Sequence, residues 1–234
     1  MNNKKKCLVI IPAYNEEKSI LDTVRDLKEY APEFDYIVVN DCSKDGTVAL
    51  CKKNQIPFLD LPVNLGIGGA VQTGYHYALE NGYQIAVQFD GDGQHDARYL
   101  ENMKESLERE KADLLIGSRF IEKKGFQSSG LRRLGIRYFT ILIRMLTGVR
   151  ITDPTSGMRM AGEQAILIFA THYPKDYPEP ESAVAAIRQG LKLVEIPVVM
   201  RDRMEGTSSI SAGKSIYYMI KVTLAILLER MRRY

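Results

Sequence analysis

Short apolar runs alternating with helix-period segments constrain this chain more than any other feature. Cys7–Ile11, Tyr36–Asn40, Ile56–Leu61, Ile85–Phe89 and Leu114–Gly117 read as buried strands. Between them Glu16–Tyr30, Val48–Asn54, Gly68–Asn81 and Ala97–Lys111 read as helices, the first with Ile20, Val24 and Leu27 on one face. Such alternation implies a mainly parallel α/β sheet with helices on both faces. Open sheets of this kind bind ligands beyond the carboxyl ends of their strands. The polar loops Pro12–Glu16, Asp41–Gly46, Asn64–Gly69 and Asp90–Gln94 are therefore expected to converge on one edge.

The last of these loops carries the sharpest chemistry. Asp90 and Asp92 sit two residues apart at the end of a strand, separated by Gly91. That spacing points two carboxylates at one hard cation and leaves part of its shell open for a diphosphate. An ordinary Asp-Gly turn is the plain alternative. A calcium loop of the EF-hand kind is excluded, because its sixth position needs Gly and here is His95, and because a strand rather than a helix leads in.

The 234 residues suffice for one large α/β domain or a domain with an appendage, and 45% hydrophobic residues supply a sizeable core. A formal charge of +3 is too small to indicate nucleic acid as a partner. Cys7, Cys42 and Cys51 show no metal-ligand spacing and read as reduced thiols of a cytosolic protein. No signal peptide and no apolar run long enough to span a bilayer is apparent. The second half is less regular: Leu131–Leu146, Gly162–Ala170, Pro180–Gly190 and Lys214–Arg233 read as helices and Leu191–Met200 as a strand.

Four motifs, in order and spacing, resemble the family-two, GT-A-fold glycosyltransferases, and among them the polyprenyl-phosphate glycosyltransferases related to dolichyl-phosphate mannose synthase. They are Ile11-Pro12-Ala13-Tyr14-Asn15-Glu16, Asn40-Asp41-Cys42-Ser43-Lys44-Asp45-Gly46-Thr47, Asn64-Leu65-Gly66-Ile67-Gly68-Gly69-Ala70 and the Asp90–Gln94 loop. A Rossmann dinucleotide fingerprint fails at the third, because it would need Gly at Val71. Thr152–Arg159 resembles the family's acceptor-side loop, and Arg201–Ser208 its R-x-x-G-x-S loop, although Ser209 stands where relatives carry lysine.

The resemblance implies a Rossmann-like GT-A domain over residues 1–210, with a nucleotide-sugar half (1–120) and an acceptor half (121–210), followed by an amphipathic helix at 211–234. It implies that Pro12, Ala13, Tyr14, Glu16, Asp41, Gly66, Asp90, Gly91 and Arg203 bind the nucleotide sugar. For Asp41 a helix cap or Asx-turn is the alternative. Asp92, with Gln94 and Asp90, would hold Mg²⁺ or Mn²⁺; Asp92, Arg119 and Arg203 would serve catalysis; and Arg119, Arg132, Arg133 and Ser156 would meet the acceptor phosphate. The implied reaction is inverting transfer from a UDP-sugar to a polyprenyl phosphate, such as undecaprenyl phosphate, in cell-envelope glycan synthesis. A phosphate acceptor is already anionic near neutral pH and needs no general base. Glu179 and Glu181 are candidate bases should the acceptor be a saccharide or protein hydroxyl instead. A non-catalytic scaffold subunit is the remaining alternative.

Independently of the resemblance, Leu131–Leu146 and Ile216–Arg233 combine apolar faces with arginine-rich ends, as helices lying in an anionic headgroup layer do. Packing into the core or into a homo-oligomer interface is the competing reading. With the chain ending at Tyr234, the expectation is a protein peripheral to the cytoplasmic face of the membrane or seated there on a small membrane partner protein; a homo-oligomer is expected as well.

Overall fold

The computed structural model describes residues 6–122, 124, 130–175, 178–201 and 212–232. One seven-stranded sheet organises them, in the order β3-β2-β1-β4-β6-β5-β7. Its strands are β1 (Cys7–Ala13), β2 (Asp35–Asn40), β3 (Phe58–Asp60), β4 (Ile85–Gln88), β5 (Leu114–Ser118), β6 (Arg159–Gly162) and β7 (Leu193–Pro197). Every neighbouring pair is parallel except β6, which runs antiparallel to both β4 and β5. The helices are α1 (Ile20–Tyr30), α2 (Thr47–Lys53), α3 (Gly66–Glu80), α4 (Leu100–Arg109), α5 (Gly130–Thr147), α6 (Glu163–Thr171), α7 (Pro178–Arg188) and α8 (Ala212–Met231).

Strand alternation divides the core. Val9 and Ile11 of β1 face one side with Val24 and Leu27 of α1 and Met103 and Leu107 of α4. Leu8 and Ile10 face the other, with Ala70, Val71 and Tyr75 of α3 and Phe169 of α6. A third cluster joins Ile116 of β5 to Phe139 and Ile143 of α5, Val184 of α7, and Val222 and Ile226 of α8. The helices on both faces and the mainly parallel sheet agree with the sequence reading.

Three local differences have physical causes. The helix expected from Glu16 begins at Ile20. Asn15 is left-handed (φ 58°) and the Glu16 N–H donates to Thr47 Oγ1, so residues 16–19 form a turn before the helix. The segment Arg159–Gly162, read as loop and helix start, is strand β6. Its buried Arg159 broke the apolar pattern by which the other strands were recognised. The helix expected over Ala97–Lys111 is an α-helix over Leu100–Arg109 alone, after a 3₁₀ turn at Ala97–Tyr99 capped by the Asp96 carboxylate.

Helix α3 enters the site through a close backbone approach. The Gly68 N–H donates to the Lys175 carbonyl at 3.1 Å. A Cβ on Gly68 would fall 2.0 Å from the Pro174 carbonyl oxygen and 2.4 Å from that of Lys175. Both obstacles are backbone and yield little. Gly68→Ala is therefore expected to lower stability by about 1–3 kcal/mol, the usual cost of overpacking, read as a lower urea midpoint with an unchanged denaturant slope.

Candidate active site

The carboxyl ends of β1, β2 and β4 and the start of α3 enclose a cleft of about 380 Å³. That lies within the roughly 300–1,000 Å³ range of small-molecule sites. Pro12, Ala13, Tyr14, Glu16, Asp41, Gly66, Asp90, Gly91 and Asp92 line it, together with Asn64, Ile67, Ala70 and Glu179. The parallel register makes this possible: Ala13 stands beside Asn40 at the end of β2, and the Asp41 N–H donates to the Ala13 carbonyl.

Short polar side chains stitch the first two loops together. The Asn15 N–H donates to Ser43 Oγ at 2.9 Å, and the Lys44 N–H to Asn15 Oδ1 at 2.7 Å. The Glu17 N–H donates to Asp45 Oδ2 at 3.0 Å, while the Gly46 N–H donates back to Glu17 Oε2 at 2.7 Å. Asn15 suits its post because asparagine tolerates the left-handed backbone at low cost. Asp41 joins the third loop: Oδ1 accepts from the Leu65 N–H at 2.6 Å and Oδ2 from the Gly66 N–H at 2.9 Å. The capping geometry weighed against nucleotide binding is thus present, at the α3 N-terminus. Each carboxylate oxygen retains a second lone-pair direction, so capping leaves acceptor capacity on the cleft side.

The Asp90–Gln94 loop is held from three directions. Asp92 is buried and its Oδ1 accepts the Gln94 N–H at 3.0 Å. The Asp90 N–H donates to His95 Nδ1 at 3.0 Å, which leaves the imidazole proton on Nε2, 3.6 Å from Asp90 Oδ2. Burial pushes His95 down to about 4, against the opposing pull of the Asp92 charge, so the ring is neutral near pH 7. Gly157 closes the third side: a Cβ there would lie 2.7 Å from Asp90 Oδ2.

These residues fit a divalent cation. Asp90 and Asp92 line the same cleft from one loop, and the neutral His95 beside them adds no competing positive charge. Among the described residues no group of three or more His, Cys, Asp or Glu is placed to hold a metal. The shell would therefore be completed by phosphate and water, as hard cations at phosphate sites often are. The Gln94 side chain does not line the cleft; its Nε2 points to the Arg201 carbonyl at 3.5 Å.

Arg119 and Ser156, expected at the acceptor phosphate, have interior partners. Arg119 Nε donates to Asp153 Oδ2 at 2.6 Å and Nη2 to Asp153 Oδ1 at 2.8 Å, with a further bond from Nη2 to Thr155 Oγ1. Asp153 is fully buried, and Glu195 holds its loop by accepting the N–H groups of Thr152 and Asp153 at 2.7 and 2.9 Å. Burial raises the Glu195 carboxyl, and those N–H donors oppose the rise. The Ser156 hydroxyl donates to the Gly117 carbonyl at 2.6 Å, within a fully buried side chain. Arg132 and Arg133 lie exposed on α5, outside the cleft lining. Arg203 lies outside the described residues. Arg201, two positions before it, donates its N–H to the Gln94 carbonyl and its Nη2 to Asp26 and Asp96.

Of the floor of the cleft, the sequence singled out Glu179, as a candidate base, but not the network that holds it. Gln88 is wholly buried; its Nε2 lies 3.4 Å from both Asp90 Oδ1 and Glu179 Oε1, and its Oε1 accepts from the Tyr173 hydroxyl at 3.1 Å. Arg159, also buried, donates to the carbonyls of Ser156 and Pro154 and to Ser182 Oγ. Burial raises the Glu179 carboxyl, with Arg159 pulling the other way. A glutamine ending the apolar run Ile85-Ala86-Val87 was the available signal for this network.

The mainly parallel sheet, with a two-carboxylate loop at its carboxyl edge, is a GT-A-like fold. The chain belongs to glycosyl transferase family 2, whose model matches residues 8–166, and it is a glycosyltransferase. An undecaprenyl-phosphate mannosyltransferase of Micrococcus luteus is 31% identical over 217 residues, covering 89% of this chain and 88% of its own length. A UDP-N-acetylglucosamine–dolichyl-phosphate N-acetylglucosaminyltransferase of Methanococcus voltae is 28% identical over 250 residues, covering 97% of each. Glucosyl-3-phosphoglycerate synthase of Mycobacterium tuberculosis, solved with Mn²⁺, UDP-glucose and phosphoglyceric acid, shares the fold. It has a TM-score of 0.74 at 18% identity, over 97% of this chain and 80% of the other.

Removing one partner of a buried ion pair strands the other's charge. Asp153→Ala is expected to cost about 3–5 kcal/mol in chemical denaturation, and Arg119→Met in the same chain to recover some of that loss.

Proposed function

We propose that the protein transfers a sugar from a UDP-sugar to a polyprenyl phosphate at the cytoplasmic face of a membrane. One observation carries this reading: Asp90 and Asp92 share a single cleft with Pro12, Ala13, Tyr14, Asp41 and Gly66. The two relatives named for undecaprenyl and dolichyl phosphate support the acceptor, and the second supports a uridine nucleotide. The Mn²⁺ and UDP-glucose of the structural neighbour support a divalent cation.

In this reading Pro12, Ala13, Tyr14, Glu16 and Gly91 shape the nucleoside pocket, and Asp41 accepts a base N–H while it caps α3. Gly66 brings the α3 N-terminus, with its partial positive charge, toward the phosphates. Asp90 and Asp92, with Gln94 once its side chain turns inward, hold Mg²⁺ or Mn²⁺. When bound, such a cation neutralises charge building on the leaving diphosphate. Arg203 adds a second positive group there. Arg132 and Arg133 meet the acceptor phosphate directly, whereas Arg119 and Ser156 act through the Thr152–Gly157 loop that they brace. The acceptor oxygen is already ionised, so the chain's task is to hold two anions in line rather than to remove a proton.

The membrane belongs to the proposal. Leu134, Ile141 and Met145 form an exposed apolar stripe on α5, and Tyr217, Ile220, Leu224, Leu228 and Met231 form another on α8. The two helices touch, with the Tyr138 and Thr223 hydroxyls 3.1 Å apart, and Arg132, Arg133, Arg137 and Arg144 lie exposed on α5. Among the described residues no helix is long and apolar enough to cross a membrane. Two adjacent amphipathic helices with basic flanks fit a headgroup layer. Helix α8 then serves in two ways: its buried Val222 and Ile226 tie it into the core, and its exposed stripe lies on the face where a small membrane partner or a second copy would also seat.

Two measurements test the reading. Labelled UDP-sugars or GDP-mannose, incubated with undecaprenyl phosphate and Mn²⁺, should yield label in the organic phase, and Asp92→Asn should lower that rate by about 10²–10³-fold. Absence of extractable label from every donor contradicts the proposal, and label from GDP-mannose alone overturns the uridine nucleotide. Ile141→Glu with Leu224→Glu should lower partitioning onto anionic vesicles by about 10-fold or more, scored by co-sedimentation. Unchanged partitioning removes the α5–α8 face from the membrane assignment.

A further inference from the structure

Among the described residues, Glu179 is the one carboxylate of the cleft that the proposed reaction leaves without a task. It belongs to the first turn of α7, between Pro178 and Pro180. Proline tolerates the start of a helix because N–H groups there lack intrahelical partners, and its fixed φ stiffens the turn that carries Glu179. The carboxyl lines the same cleft as Asp90 and Asp92.

Gln88 sets the position of this carboxyl. The Tyr173 hydroxyl donates to Gln88 Oε1 at 3.1 Å, which fixes the amide so that its nitrogen faces the two acids. The two N–H groups of that nitrogen then reach Asp90 Oδ1 and Glu179 Oε1, each at 3.4 Å. A neutral amide thus separates two carboxylates and ties their positions together. Register keeps the bridge in place, because Gln88 of β4 stands opposite Arg159 of β6, whose guanidinium is committed to Ser156, Pro154 and Ser182.

The chemistry of a nucleotide-sugar donor decides what Glu179 meets. A diphosphate offers only acceptor oxygens and negative charge, so a carboxylate beside it is repelled. The sugar ring carries hydroxyl donors, or an amide N–H in an N-acetyl sugar, and no charge. We propose that Glu179 is a specificity-determining residue that accepts a hydrogen bond from the donor's sugar ring, with Gln88 as its positioning residue. This inference rests on the transferase reading above. It makes one ring substituent a condition of productive binding, so discrimination between sugars arises on α7, apart from the loops that hold the nucleotide.

The test separates the two readings. Binding of UDP and of UDP-sugars is measured by calorimetry, and transfer is measured with donors each lacking one ring hydroxyl. With wild-type protein, one deoxy donor should lose roughly 10–100-fold in kcat/KM, the cost of leaving a buried acceptor unpaired. Glu179→Ala should shrink that penalty to under about 3-fold while leaving UDP affinity unchanged, and the isosteric Glu179→Gln should change which donor is preferred. Gln88→Met, which removes the bridge without altering Glu179, should shrink the same penalty. A penalty intact in Glu179→Ala, or a fall in UDP affinity equal to that for UDP-sugar, overturns the inference and leaves the transferase reading standing. Failure of wild-type protein to bind any nucleotide sugar overturns both.

Discussion

Antiparallel pairing of β6 with β4 is the constraint on which the acidic end of the cleft depends. It seats Arg159 opposite Gln88 and leads the chain back through Gly157, against the Asp90 carboxylate. Carboxylates gathered in a half-buried cleft repel one another, and burial penalises their charged forms. This arrangement tolerates them by spacing them with a neutral amide, placing a neutral His95 beside the loop, and burying one guanidinium nearby. Gln88, Arg159 and Tyr173 all have hydrogen-bond partners, which is what makes such a network rigid rather than costly.

The ion pair between Arg119 and Asp153 has a comparable role on the neighbouring strand β5. Read as a sequence, an arginine at a strand end beside a phosphate site looks like a ligand. Folded, its planar fork meets the Asp153 carboxylate with two short bonds, and the loop carrying Asp153 hangs from the Glu195 carboxylate. The fork geometry explains why arginine rather than lysine suits the position. It also shows an arginine spent on bracing a loop instead of lining the cleft.

Much of this was legible in the sequence where the signal was periodic or local. The parallel strands were visible as apolar runs, and their shared carboxyl edge followed from topology alone. The loop residues around the cleft were visible because asparagine, aspartate, serine and glycine cluster where backbone N–H groups need partners. What was hidden depended on long-range register. Nothing local marks Arg159 as a strand residue, since only pairing with β4 and β5 makes an arginine-led tetrapeptide extended. Nothing local ties Gln88 to Glu179, 91 positions apart. The start of α1 was misplaced because Thr47, at the start of α2, claims the Glu16 N–H.

The hydrogen bond from Gly68 to the Lys175 carbonyl reaches from the start of α3, at the cleft, to the chain shortly before α7. Together with the β4–β6 pairing, it means that the two halves of this protein are not interchangeable cassettes. A chimera joined near residue 120, taking its amino half from one relative and its carboxyl half from another, would have to match a glycine on one parent to a backbone path on the other. Any parent with a side chain at position 68 would bring it against the Pro174 and Lys175 backbone of the other, so the helix entrance and that stretch of chain have to be inherited together.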